Sequence, residues 1–173
     1  TLYLDFITGR ITSVWSSIIK PTRIYFMKTL IKNGVLVTES QVEPADLLIE
    51  GETIARIALK ILAESDTEVI DVGGMYILPG GIDVHVHLDL PMAGTVSSDD
   101  HYTGTKAAAF GGTTTVIDFV SQDEDDLLEC VAALRHKADP KVAVDYGLHM
   151  NITHLTPQVE KQITLLPSVG ITS

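Results

Sequence analysis

Two histidines one residue apart, His85 and His87, close an apolar run from Met75 that reads Met-Tyr-Ile-Leu-Pro-Gly-Gly-Ile-Asp-Val-His-Val-His. Side chains alternate along a strand with period two, so residues i and i+2 share a face. Two imidazoles presented from one face can hold a divalent metal, and a metal can activate water for hydrolysis. His85 and His87 are therefore the candidate metal ligands. His149 ends a later strand and His154 lies in the loop after it; each reads as a further ligand, a polar loop residue or a donor to a ligand. His101 and His136 fall in the first and last turns of helices and read as solvated or capping residues. Asp83 shares the face of the pair and Asp89 lies beyond it. Asp118, in Val-Ile-Asp-Phe, reads either as a contact to a ligating histidine or as an acceptor for loop backbone. The acidic run Asp123 to Asp126 suits the start of a solvated helix. No nucleophilic triad is visible, and the glycine pairs at 73–74, 80–81 and 111–112 make no phosphate-binding fingerprint.

The elements that must position these groups follow from the hydrophobic rhythm. Residues 1–26 show no sustained pattern and no secretory signal; they read as an unassigned extension, with Met27 a natural start. Residues 27–74 are β-rich and read as part of a small, antiparallel β-sandwich. There Asn33-Gly34 suggests a hairpin turn between two short strands, and Glu50-Gly51-Glu52 suggests another. From residue 75 the rhythm becomes strand, helix, strand, helix. Ser97, Ser98 and Asp99 offer caps for a helix stopped by Gly111-Gly112. Thr113 to Val120 is β-branched and apolar, as expected of a strand buried on both faces. Ser121 and Glu124 suggest a capping box for a helix whose Leu127, Cys130, Val131 and Leu134 share one face. Val142 to Met150 reads as a strand. Thr156-Pro157 starts a last helix that Pro167 and Gly170 end, and Ile171 opens a further strand. The predicted class is α/β: residues 75–173 form strand–helix units of a parallel sheet, preceded by the sandwich. Either that sheet is open, or these are the first three βα units of a TIM-like (β/α)8 barrel; such a barrel needs roughly 250 residues, so on the barrel reading the 173-residue chain is an N-terminal fragment.

Bulk properties narrow the function. The net charge of −11 disfavours nucleic acid and anionic membrane surfaces as partners. No apolar run reaches the roughly 18 residues of a membrane span. A single cysteine, Cys130, forms no internal disulfide, which suits the cytoplasm.

The stretch Leu78-Pro-Gly-Gly-Ile-Asp-Val-His-Val-His-Leu-Asp-Leu-Pro-Met-Ala-Gly-Thr95, with Ser98-Asp-Asp-His-Tyr-Thr-Gly-Thr-Lys-Ala-Ala-Ala-Phe-Gly-Gly-Thr-Thr114, resembles the dihydropyrimidinase/hydantoinase branch of the metal-dependent amidohydrolases. The resemblance covers Met27 to Ser173. Dihydroorotases, by contrast, typically carry an arginine where this chain has Asp89. The resemblance implies a cytoplasmic homotetramer, a sandwich plus a distorted barrel, and two divalent metals, most simply Zn2+, bridged by a carboxylated lysine. It implies ring-opening of cyclic amides, dihydropyrimidines or hydantoins, to N-carbamoyl amino acids. His85 and His87 match the first two ligands. The lysine, further histidines and the aspartate base are expected past Ser173, so this chain alone is expected to be inactive and prone to aggregation. The loop Leu88 to Val96 would wall the substrate pocket, with Leu90 and Met92 either shaping which ring substituent fits or serving packing alone. A non-catalytic assembly relative and another cyclic amidohydrolase, such as an allantoinase, are the rival expectations.

Overall fold

The computed structural model describes residues 28–92, 94–123 and 125–173, and before them two short segments, β1 (Tyr3–Leu4) and β2 (Ile11–Thr12), which pair antiparallel. The other residues of the 1–26 extension lie outside the described residues. The chain divides into two compact units, Thr1–Gly80 and Gly81–Ser173.

Besides the β1–β2 pair, the first unit contains one five-stranded sheet. Its strands are β3 (Lys28–Val37), β4 (Val42–Glu50), β5 (Thr53–Ala58), β6 (Thr67–Asp71) and β7 (Tyr76–Ile77). The order is β5-β4-β3-β6, and β7 extends the pairing along β3. The sheet is mixed, not antiparallel throughout: β4 runs antiparallel to β3 and β5, whereas β6 and β7 run parallel to β3.

Asn33-Gly34 is not a hairpin turn. It is a bulge inside the continuous β3, where the register to β4 shifts between Ile31 and Gly34. Asn33 takes φ 58°, a left-handed conformation that asparagine tolerates. Its amide is satisfied by Asp46 Oδ1 at 2.8 Å, and the other oxygen of this buried carboxylate accepts from Ile61 N at 2.9 Å. Gly34 makes room for β7: a Cβ there would stand 2.2 Å from Ile77 Cδ1 and force that side chain to shift. Two long-range demands, the Asp46 anchor and the approach of β7, override the local turn preference. Glu50-Gly51-Glu52 does form a turn, between β4 and β5, with Gly51 at φ 62°. One face buries Ile31, Leu36, Ala45, Leu47, Ile49 and Ile77, each large side chain contributing about 1.5–3 kcal/mol.

The second unit begins with β8 (Gly81–Asp83), followed by the small hairpin of β9 (Pro91–Met92) and β10 (Thr95–Val96). Then come α1 (His101–Gly111), β11 (Thr113–Ser121), α2 (Leu127–Ala138), β12 (Asp145–Asn151), α3 (Pro157–Ile163) and a 3-10 turn, Leu166–Val169. The sheet order is β12-β11-β8, parallel throughout. Strands alternating with helices give this arrangement because a parallel pair needs a crossover.

Several boundaries differ from the sequence expectation. Asp100, not Ser97, Ser98 or Asp99, caps α1 by accepting from the amides of Tyr102 and Thr103. Ser121 still belongs to β11, and the cap of α2 is Asp126, which accepts from Glu129 N at 3.1 Å; Glu124 lies outside the described residues. Thr156 and Pro157 start α3 as expected, with Thr156 Oγ1 accepting from Val159 N. That helix stops at Ile163, and the 3-10 turn closes at Gly170, φ 82°. Ile171 opens no regular strand, but it is buried, and Ser173 O accepts from Met150 N at 3.0 Å alongside β12. β11 is not buried on both faces: Thr114, Val116, Asp118 and Val120 are buried, and the alternate residues are half-exposed. The core packs Val120, Leu148 and Met150 against Leu127, Val131, Val159, Leu166 and Ile171. No helix among the described residues is long and apolar enough to cross a membrane.

Candidate metal centre

β8 ends at Asp83, so His85 and His87 stand just beyond the regular strand. The extended path continues because Val86 N donates to Ile117 O of β11 at 3.1 Å. Asp83 Oδ1 accepts from His85 N at 3.2 Å, fixing the backbone before the pair. Pinned on both sides, the two imidazoles project together. Their Nε2 atoms are 3.2 Å apart, the rings meet edge to face at 5.0 Å between centroids, and both side chains are exposed.

Phe119 forms the floor under them. Its ring lies 4.5 Å from that of His85, 5.2 Å from His87 and 4.9 Å from His149. Phe119 and His149 are register partners on β11 and β12, so they share a face. Asp118, one residue earlier, points the other way, into the buried layer against α1. The pair, the phenylalanine and His149 thus form one row across the ends of the three parallel strands.

That geometry fits a metal. Zinc–imidazole bonds of about 2.0–2.1 Å, with the Nε2 atoms at 3.2 Å, subtend an angle of roughly 100–106° at the ion, close to tetrahedral. Two donors do not complete a site, and no group of three or more His, Cys, Asp or Glu among the described residues could hold a metal ion.

The other candidates separate. His149 has other partners at both nitrogens: Nε2 lies 3.2 Å from Val84 O and Nδ1 2.6 Å from Ser173 Oγ, so it braces the strand that carries the pair. His154 belongs to the loop beyond β12, with Nε2 2.7 Å from Asp125 Oδ1 and its amide donating to Gln122 Oε1. His136 is exposed in the last turn of α2. Asp89 adopts φ 50° and pairs with Lys137 Nζ at 3.4 Å. Leu90 is half-buried, its amide donating to Ser97 Oγ and its carbonyl accepting from Ser97 N; Met92 is 57% exposed on the β9–β10 hairpin.

His101 overturns its expectation. It is neither solvated nor a cap, but 1% exposed, with Nε2 3.5 Å from Asp118 Oδ2. The signal was present: His101, Thr105 and Ala109 recur every fourth residue and form the buried stripe of α1. Asp118 accepts from backbone, but from its own strand and not from a loop: Phe119 N donates to Oδ1 at 2.8 Å. Burial pushes its carboxyl above the usual range, while the amides of Phe119 and Leu88 and the nearby imidazoles pull in the opposite direction. Phe119 as the floor of the pair was missed, because which strand neighbours β8 is a tertiary fact.

A parallel β/α sheet bearing an imidazole pair at the carboxyl end of its first strand defines a class of protein. Residues 76–163 match the amidohydrolase family, and the chain belongs to it. Within that family it is 46% identical over 149 residues to a D-hydantoinase from Geobacillus stearothermophilus, covering 85% of this chain and 31% of that enzyme. It is 38% identical over 152 residues to a dihydropyrimidinase from Rattus norvegicus, covering 84% and 29%. The crystal structure of a dihydropyrimidinase from Brevibacillus agri NCHU1002 matches with a TM-score of 0.80 and 44% identity, over 84% of this chain and 32% of that one. The chain therefore spans about a third of the length of these relatives. Membership of the family implies divalent metal use in an intact enzyme.

Proposed function

We propose that the protein hydrolyses cyclic amides, opening dihydropyrimidines or hydantoins to N-carbamoyl amino acids, and that His85 and His87 supply two ligands of a dinuclear zinc centre. The carrying observation is the 3.2 Å approach of two exposed imidazoles at the end of a parallel strand. The relatives named D-hydantoinase and dihydropyrimidinase support the substrate class. A bound divalent pair lowers the pKa of water and polarises the carbonyl under attack.

This chain's own residues supply orientation. The Val86–Ile117 bond and Asp83 hold the two imidazoles on one side, and the Phe119 ring packs beneath them. Leu90 and Met92 border the adjoining hairpin and offer apolar contact to a ring substituent. The same reading carries a TIM-like barrel completed by further βα units, a sandwich built on the first unit, a homotetramer and a cytoplasmic location.

The test is hydrolysis of dihydrouracil and hydantoin by the full-length protein. The expected result is activity that a chelator abolishes and zinc restores. A well-folded full-length protein that binds no zinc and opens neither ring would refute the proposal and favour a non-catalytic assembly role.

A further inference from the structure

Behind the imidazole pair, on the helix side of the sheet, lies a polar cluster that the proposed chemistry does not use. His101 and Asp118 are 1% and 3% exposed. Their 3.5 Å separation is too long for a good hydrogen bond, and both His101 nitrogens and Asp118 Oδ2 make no hydrogen bond among the described residues. Buried polar groups without hydrogen bonds are rare and call for a reason.

The other side of the carboxylate supplies one. Asp118 Oδ1 accepts from the amide of Phe119, whose ring supports both histidines. The amide of Leu88, the residue after His87, is among the groups that draw this carboxyl down against the effect of burial. The Leu88 side chain is seated on α1: a Cβ at Gly104 would stand 2.3 Å from its Cδ2. Gly104 lies three residues beyond His101, so one turn of α1 meets both Asp118 and the residue that follows the pair.

We infer that Asp118, buried beside His101, is a positioning residue that fixes the backbone of Leu88 and Phe119 and thereby the aim of the two imidazoles. The inference rests on the metal-centre proposal above. A carboxylate that orients ligands from behind changes metal affinity by roughly 10–100-fold when altered, whereas a pair that only fills the core changes melting alone.

The experiment compares Asp118→Asn, His101→Gln and their double variant in the full-length protein, with His85→Ala as reference. Asp118→Asn is expected to weaken zinc binding, measured by chelator competition, about tenfold or more. It should lower kcat with KM little changed, and speed amide exchange at Leu88 and Phe119 in the metal-free protein. His101→Gln should act in the same direction, and the double variant no more strongly than Asp118→Asn, since the residues act as a unit. Folded Asp118→Asn with native zinc affinity and native exchange at both amides overturns the inference, whatever its melting temperature. Should Asp118→Asn not fold, the same two readings on His101→Gln decide. Unchanged zinc binding in His85→Ala sinks the metal-centre proposal instead; faster exchange at Leu88 and Phe119 still supports the positioning link.

Discussion

His85 and His87 differ from every other histidine in the chain in having each other as their near polar neighbour at Nε2. His149, His154 and His101 sit against a carbonyl, carboxylate or hydroxyl within their surroundings. Exposed imidazoles contribute little to packing, so replacing either should spare the fold and strike the metal. His85→Ala or His87→Ala in the full-length protein is expected to cut zinc affinity at least a hundredfold, with a melting temperature close to the parent's in the absence of metal. Titration of zinc and a thermal melt check the two halves. The contrast is Leu127, wholly buried at the start of α2, where Leu127→Ala should cost about 2–5 kcal/mol of stability and leave zinc stoichiometry intact. Denaturant unfolding measures that difference.

Among the elements, α1 is the one whose start is most strongly set by charge. The amide of Thr103, then Lys141, draw the Asp100 carboxyl down to about 2. Because the folded value lies below the usual carboxylate value, the folded state binds fewer protons, and the stabilisation is present at and above about pH 4. It is lost as pH falls from there towards 2. Asp100→Asn keeps a capping oxygen without the charge, so its melting temperature should fall less than the parent's between pH 5 and pH 2.5. Melts at both values provide the check. In β3, Gly34→Ala should destabilise by about 1–3 kcal/mol, since the new methyl meets the buried Ile77; an unchanged denaturation midpoint would contradict the proposed role of the bulge.

At the scale of the whole molecule, among the described residues, the regular strands of the parallel sheet end on β12 and β8, and β5 edges the mixed sheet. Large apolar side chains stand exposed beside them, among them Val84 at 59%, Leu155 at 66%, Leu59 at 76% and Leu62 at 83%. Open edges and apolar patches invite association. The 173-residue chain by itself is expected to associate at micromolar concentration and to show no zinc-dependent ring opening, because its described residues bring together only two donors. Sedimentation velocity and a dihydrouracil assay test these outcomes; a monomer with a sharp cooperative melt would contradict the first.

Local pattern alone determined much of this protein. The period-two spacing of His85 and His87, the turn at Gly51, the core-packed face Leu127, Cys130, Val131 and Leu134, and the Thr156-Pro157 start were all legible, because each depends on neighbours within a few residues. Other features were decided only by the tertiary structure. Asn33-Gly34 became a bulge because Asp46 and Ile77 reach it from distant strands. His101 went inside because α1 packs on β11 and meets Asp118 there. Phe119 became the floor of the pair because β11, and no other strand, lies between β8 and β12. Periodicity records which side of an element faces the core; it holds no record of which partner waits there, and that partner sets the final role of a polar residue.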